Sequence, residues 1–125
     1  MLLKDQVCIV AGAASLRSIG YATAELFVEH GAKVVVTDVS MNEDVLANIK
    51  KQIETRLNTS INLYGFQCDI SRKSECDDLI SKVMALHGSI DCLVNSAGIV
   101  RSGSILEIQE AEMSLMFDIN LKGAF

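Results

Sequence analysis

Gly12, Ser18, Ile19, Gly20 and Asp38 are the residues whose types and spacing point first to chemistry. An apolar run, Val7-Cys8-Ile9-Val10, leads into the loop Gly12-Ala13-Ala14-Ser15-Leu16-Arg17-Ser18-Ile19-Gly20; a helical pattern follows, and a second apolar run ends on Asp38. A glycine after a strand lets the chain turn sharply. A helix opening just beyond that turn aims unpaired backbone N–H groups and the positive end of its dipole at one point, which suits a pyrophosphate. Asp38, eighteen residues after Gly20, stands where a carboxylate can accept from a ribose hydroxyl. The loop does not match G-x-G-x-x-G, so its weight comes from the strand before it, the helix after it and the acid beyond. A plainer reading stays open, in which Gly12 is only the turn glycine of an α/β domain that holds no nucleotide.

The elements that must position these residues alternate. Strand signals at 6–10, 33–37, 63–67 and 90–94 are separated by helical patterns, the signature of parallel strands joined by crossover helices. The first helix is expected to begin near Ser18 and to turn Ile19, Ala22, Leu26 and Phe27 toward the sheet. The second carries Val45, Ile49, Ile53 and Leu57 at steps of four, with Ser40 and Glu43 spaced as a capping box. The third places Cys76, Leu79, Ile80, Val83 and Met84 on one stripe, with Ser71 as N-cap. His30-Gly31 and His87-Gly88 each read as a helix end, the Gly supplying a left-handed C-cap and the His sitting near the negative end of the dipole. That is a structural role for both histidines. Met113, Met116, Phe117, Asn120, Leu121 and Ala124 form one more amphipathic helix.

Composition narrows the function classes. One domain over residues 1–125 is the expectation for a chain of 125 residues. No run approaches the roughly 18 uninterrupted apolar residues of a spanning helix. The opening Met1-Leu2-Leu3-Lys4-Asp5 lacks the basic and apolar regions of a signal peptide, so the chain reads as cytoplasmic. With 11 basic against 16 acidic residues, the net charge of −5 argues against nucleic acid as a partner. Cys8, Cys68, Cys76 and Cys92 lack the paired spacing of metal ligands and read as reduced thiols, so no metal site is expected.

The chain resembles the N-terminal half of a short-chain dehydrogenase/reductase, along essentially its whole length. Ser18-Ile19-Gly20 takes the place of that family's Gly-Ile-Gly, two residues late, in a long loop similar to the variant of the divergent enoyl-acyl-carrier-protein reductases. Cys68-Asp69-Ile70 resembles the adenine-binding position, where the carboxylate meets the exocyclic amine and the next N–H meets a ring nitrogen. Asn95-Ser96-Ala97-Gly98 resembles the N-N-A-G motif, whose small residues let backbone approach the nicotinamide ribose. Asn120, within Phe117-Asp118-Ile119-Asn120-Leu121-Lys122-Gly123, matches the Asn of the family's catalytic group, which binds a water of the proton relay. The resemblance implies a Rossmann-like parallel sheet of order 3-2-1-4 with helices on both faces, as an incomplete doubly wound fold. It also implies a site built from Gly12, Ser18, Ile19, Gly20, Asp38, Asp69, Ile70, Asn95, Ala97 and Gly98 with Asn120 as the catalytic residue.

The family transfers hydride between a nicotinamide dinucleotide and a carbonyl or alcohol, with Tyr as acid or base and Lys four residues later. Tyr21 and Tyr64 are the only tyrosines, and Glu25 and Cys68 stand four residues on, so the pair is not in this chain. The expectation is a fragment of a longer enzyme, inactive alone and homo-oligomeric when complete. Asp38 favours NAD, since a carboxylate repels a 2′-phosphate; Arg17 leaves NADP as the alternative. Two rival readings remain: a catalytically empty nucleotide-binding module or dominant-negative partner, and a scaffold that merely retains the loop.

Overall fold

The computed structural model describes all 125 residues. Its strands are β1 (Val7–Ala11), β2 (Lys33–Asp38), β3 (Tyr64–Gln67) and β4 (Cys92–Asn95), and its helices α1 (Ile19–Glu29), α2 (Glu43–Leu57), α3 (Lys73–His87) and α4 (Glu110–Asn120), followed by a short 3₁₀ turn at Lys122–Ala124. The sheet is parallel throughout in the order β3-β2-β1-β4, as the family resemblance implied. Val7 pairs with Lys33 and Cys8 with both Val34 and Cys92, which brings the C-terminal ends of β1, β2 and β4 to one edge.

Unbroken apolar strands need cover on both faces. On one face Val10, Val34 and Val36 pack with Ala24 of α1 and Ile49 and Ile53 of α2; on the other Val7, Ile9 and Val35 pack with Leu79 and Val83 of α3. Thr37 is the one buried polar residue, and its hydroxyl donates to the Phe66 carbonyl at 2.7 Å. The edge strand β4 is less covered: Leu93 is 62% exposed.

Several local expectations need correction. The N-cap of α2 is Asn42, whose side chain accepts from Val45 N–H at 2.8 Å, and not Ser40. Arg72 occupies the N-cap position of α3 without a side-chain bond, because the Ser71 hydroxyl turns back to Asp69 instead. In α1 the buried residues are Gly20 and Ala24, while Ile19 is 78% exposed and Ala22 and Leu26 also face outward. The packing there is closer than a face of large side chains allows. Ile80 and Met84 of α3 are likewise exposed, and α4 buries no residue at all, so Met113, Phe117 and Leu121 are open.

The helix ends behave as read. Gly31 and Gly88 have φ of 88° and 76°, the left-handed region that glycine enters without a steric cost. His30 is the C-cap residue of α1, and His87 lies edge-on to Tyr64 with ring centroids 5.7 Å apart. All four cysteines are free thiols.

Ile49→Ala should lower the unfolding free energy by about 2–5 kcal/mol, since a fully buried side chain leaves a cavity between α2 and the sheet. Leu115→Ala, on the open side of α4, should change it by less than about 0.5 kcal/mol. Urea unfolding of the two variants beside the parent checks both values.

Candidate functional site

At the C-terminal end of β1 three chain segments meet at backbone distance. Gly12 has φ of 83°, and a Cβ built there would lie 2.6 Å from Ala97 N and from the Ser96 carbonyl carbon. A Cβ on Gly20 would collide with the Gly12 carbonyl and stand 2.7 Å from Ser96 Oγ. These glycines are therefore dictated by main-chain crowding, and they leave the first turn of α1 close against the loop that precedes it.

The loop is held by its own polar groups. Ser18 caps α1, its hydroxyl accepting from Tyr21 N–H at 3.0 Å and donating to the Ser15 carbonyl at 2.6 Å. The Ser18 N–H also donates to Ser15 O, at 3.0 Å, so both Ser18 donors are engaged within the loop. The backbone N–H groups of Ile19 and Gly20 have no partner in the chain. They are the free donors at the positive end of α1.

Asp38 closes the opposite side. Its Oδ2 accepts from Ala14 N–H at 3.1 Å and its Oδ1 from Ser40 N–H at 3.0 Å, so the carboxylate ties the end of β2 to the glycine loop. Asp69 follows β3, with Oδ1 accepting from the Ser71 hydroxyl at 2.6 Å and from Ser71 N–H at 3.0 Å. The Ser71 hydroxyl is the main reason that the Asp69 pKa lies below its ordinary 3.8, against the opposing effect of burial.

After β4, Asn95 Oδ1 accepts from Ala97 N–H at 3.3 Å, and Ser96 donates twice to the Ala11 carbonyl, through N–H at 3.1 Å and hydroxyl at 2.7 Å. Asn120 is not on a core-facing stripe. It is exposed, and its amide pairs in both directions with the Ile99 backbone, Nδ2 donating to Ile99 O and Oδ1 accepting from Ile99 N–H, each at 2.8 Å. Both ends of the side-chain amide are thereby satisfied.

These segments enclose a cavity of about 300 Å³. Of the residues singled out from sequence, Gly12, Ser18, Asp38, Asp69, Ile70, Ala97 and Gly98 line it; Ile19, Gly20, Asn95 and Asn120 do not. Gly20 and Asn95 support the lining from behind, and Asn120 fixes Ile99, which does line it. Beyond the expected site, the lining also holds Ala11, Thr37, Val39 and Ile99, each beside a residue quoted from sequence, and Ser15, Cys68, Ser96 and Ile119, which stood within the quoted motifs without being assigned to the site.

A family model described as Enoyl-(Acyl carrier protein) reductase matches residues 12–125. The chain belongs to the short-chain dehydrogenase/reductase family. It is 34% identical over 125 residues to the 3-oxoacyl-acyl-carrier-protein reductase FabG of Thermotoga maritima, covering 100% of this chain and 48% of that protein. It is 36% identical over 123 residues to an NAD-dependent glycerol dehydrogenase of Listeria innocua, covering 98% of this chain and 44% of that one. A crystal structure of a short chain dehydrogenase from Mycobacterium smegmatis superposes with a TM-score of 0.84 at 28% identity, over 98% of this chain and 48% of the other. The chain thus spans about half the length of the short-chain dehydrogenase/reductase relatives it matches.

Neither tyrosine of this family member lines the cavity. The Tyr21 hydroxyl donates to Glu25 Oε2 at 2.7 Å, and burial together with that bond pushes its pKa up to about 12. Cys68, on the cavity wall, is also pushed up to about 12, first by burial and then by the neighbouring Cys76. No helix is long and apolar enough to cross a membrane.

Two predictions follow from the loop geometry. Gly12→Ala forces a side chain into left-handed backbone and against Ala97, so it should lower stability by at least about 1–3 kcal/mol, read as a drop in melting temperature. Because the folded pKa of Asp69 is depressed, its contribution to stability is whole above about pH 4 and is lost as pH falls through the folded value. Ser71→Ala should raise the Asp69 pKa toward 3.8 in a carboxylate NMR titration and shrink that acid-side loss.

Proposed function

We propose that this chain is the nicotinamide-dinucleotide-binding part of a short-chain dehydrogenase/reductase that moves hydride between NAD(P)(H) and a carbonyl or alcohol. The observation that carries the reading is that Ser18, the cap of α1, and the Asp38 carboxylate at the end of β2 line one cavity, with the free N–H groups of Ile19 and Gly20 directly after Ser18. The residues fit the group. Gly12 and Gly20 let the loop, the first turn of α1 and the segment after β4 pack backbone to backbone, and Ile19 and Gly20 keep free N–H groups that a phosphate could take.

In this mode Asp38 accepts from the adenosine ribose, Asp69 and Ile70 meet the adenine ring, and Asn95, Ala97 and Gly98 flank the nicotinamide ribose. Ser18 acts as the cap that orders the donors after it, its own hydroxyl and N–H being turned to Ser15. When bound, the nicotinamide supplies the hydride chemistry. This chain's part is to bind and orient: Asn120, as the family's catalytic-group Asn, holds the Ile99 backbone at the edge of the cavity.

NAD is the preferred cofactor and NADP the alternative. The Asp38 carboxylate disfavours a 2′-phosphate, whereas Arg17 is exposed and makes no ion pair, leaving it free to meet one. We place the protein in the cytoplasm as part of a longer, homo-oligomeric enzyme. The chain alone is expected to be inactive, because it carries no Tyr with Lys four residues later. The second reading is a nucleotide-binding module without turnover, favoured by the same lack of a Tyr with Lys four residues later.

Fluorescence titration with NADH and NADPH tests the proposal: NADH should bind more tightly, and Asp38→Ala should weaken NADH while strengthening NADPH. Flat traces for both nucleotides on folded protein would refute it.

A further inference from the structure

Cys68 on the cavity wall and Cys76 behind it, packed on the same core cluster, are a pair of thiols that nucleotide binding leaves unused. Cys68 lies just past β3 on the cavity wall and is fully buried; Cys76 lies in the first turn of α3 and is half-buried. Cys76 packs against the core cluster that contains Cys68, and its Sγ sits 3.5 Å from the Ile70 carbonyl oxygen. Asp69 and Ile70, both lining the cavity, are the first residues of the short segment between the two sulfurs.

We propose that Cys68 and Cys76 form a dithiol that hydrogen peroxide closes to a disulfide, and that closure weakens nucleotide binding by displacing Asp69 and Ile70. The second half rests on the cofactor reading given above. The two thiols occupy unequal positions, which fixes the order of events. Cys76 is the less buried of the two and stands near the positive end of α3, so its sulfur attacks the peroxide, breaking the O–O bond to give a sulfenic acid and one water. Cys68, which burial keeps protonated and therefore a poor first nucleophile, then attacks the sulfenic sulfur as its S–H proton passes to the departing hydroxide. The S–S bond forms, the Cys68 proton leaves with the hydroxide as a second water, and the two electrons lost by the thiols reduce one peroxide.

Closure must alter the site because Cys76 Sγ leaves the Ile70 carbonyl and the loop between the sulfurs becomes a small covalent ring. The Ser71 bonds that hold Asp69 lie inside that ring. By linkage, a bound nucleotide should slow the oxidation as much as oxidation weakens the nucleotide. The other close pair, Cys8 and Cys92, faces one another across β1 and β4 away from the cavity lining and provides an internal comparison.

The test is intact mass and peptide mapping of the protein before and after hydrogen peroxide, with NADH titration of both forms. The expected result is a loss of two hydrogen masses mapped to a Cys68–Cys76 link, reversal by dithiothreitol, and NADH affinity lower by about tenfold or more in the linked form. Cys76→Ser should abolish both changes while binding NADH as the reduced parent does, and Cys92→Ser should keep both. No link, or a link mapped to Cys8 and Cys92, overturns the dithiol; a Cys68–Cys76 link with unchanged NADH affinity overturns its coupling to the site. Reduced protein that fails to bind NADH sinks the cofactor reading alone, since the mass change and its map still decide the dithiol.

Discussion

The close approach of main chain to main chain at the end of β1 is the constraint on which the rest depends. Gly12 and Ala13 both donate to the Thr37 carbonyl, at 2.9 and 3.3 Å, and Ser96 donates twice to the Ala11 carbonyl. The end of β1 is thereby fastened to β2 on one side and to the β4 loop on the other. Those bonds bring backbones so near that neither Gly12 nor Gly20 could carry a Cβ. The mouth of the cavity is consequently shaped by peptide groups, whose positions are over-determined by the sheet, more than by side chains that could change rotamer.

The core explains why that mouth is rigid on one flank and open on the other. β1 and β2 are buried along almost their whole length and covered by α1 and α2 on one face and α3 on the other. Burial of this kind fixes the register of β1 against β2, and with it the distance from the glycine loop to Asp38. β4 and α4 lack comparable cover: β4 has one strand neighbour, and α4 is tied to the loop after β4 by Asn120 on the Ile99 backbone and by the Met116 sulfur, which accepts from Arg101 N–H at 3.3 Å. Polar contacts to the loop backbone there stand where an apolar face stands elsewhere.

How much was legible in the sequence follows from which forces leave a local trace. The alternation of strands and helices and the glycine loop were readable because the change of period and the position of Gly12, Gly20 and Asp38 are local patterns, whereas the strand order came only from the family resemblance. The burial of α2 was also readable, since Ile49 and Ile53 repeat at helical spacing over a long helix with polar flanks. In α1 the same rule failed: apolar residues surround that helix, and the packed face was chosen by the small residues Gly20 and Ala24, which hydropathy ranks low. Cap choice also escaped, because Ser40, Asn42 and Ser71 are all competent N-caps and tertiary bonds decided among them. Asn120 misled for a related reason: spacing assigned it a stripe, while the partner that satisfies it, Ile99, is twenty-one residues away in sequence.

Charge sorting within the cavity is the last consequence of this arrangement. The chain is acidic, with a net charge of −5, and the two carboxylates on the cavity wall, Asp38 and Asp69, add to a potential that repels an anionic ligand. Neither carboxylate has a cationic partner at bonding distance, and both are instead held by N–H and O–H donors. Such carboxylates keep lone pairs for hydroxyl or amine donors of a ligand and offer nothing to its phosphates. The compensating positive potential is confined to the free N–H groups of Ile19 and Gly20, reinforced by the dipole of α1 and the exposed Arg17. A ligand that satisfies both regions must carry donors at one end and anionic oxygens a few ångströms away, and a ribose joined to a pyrophosphate has that order of groups.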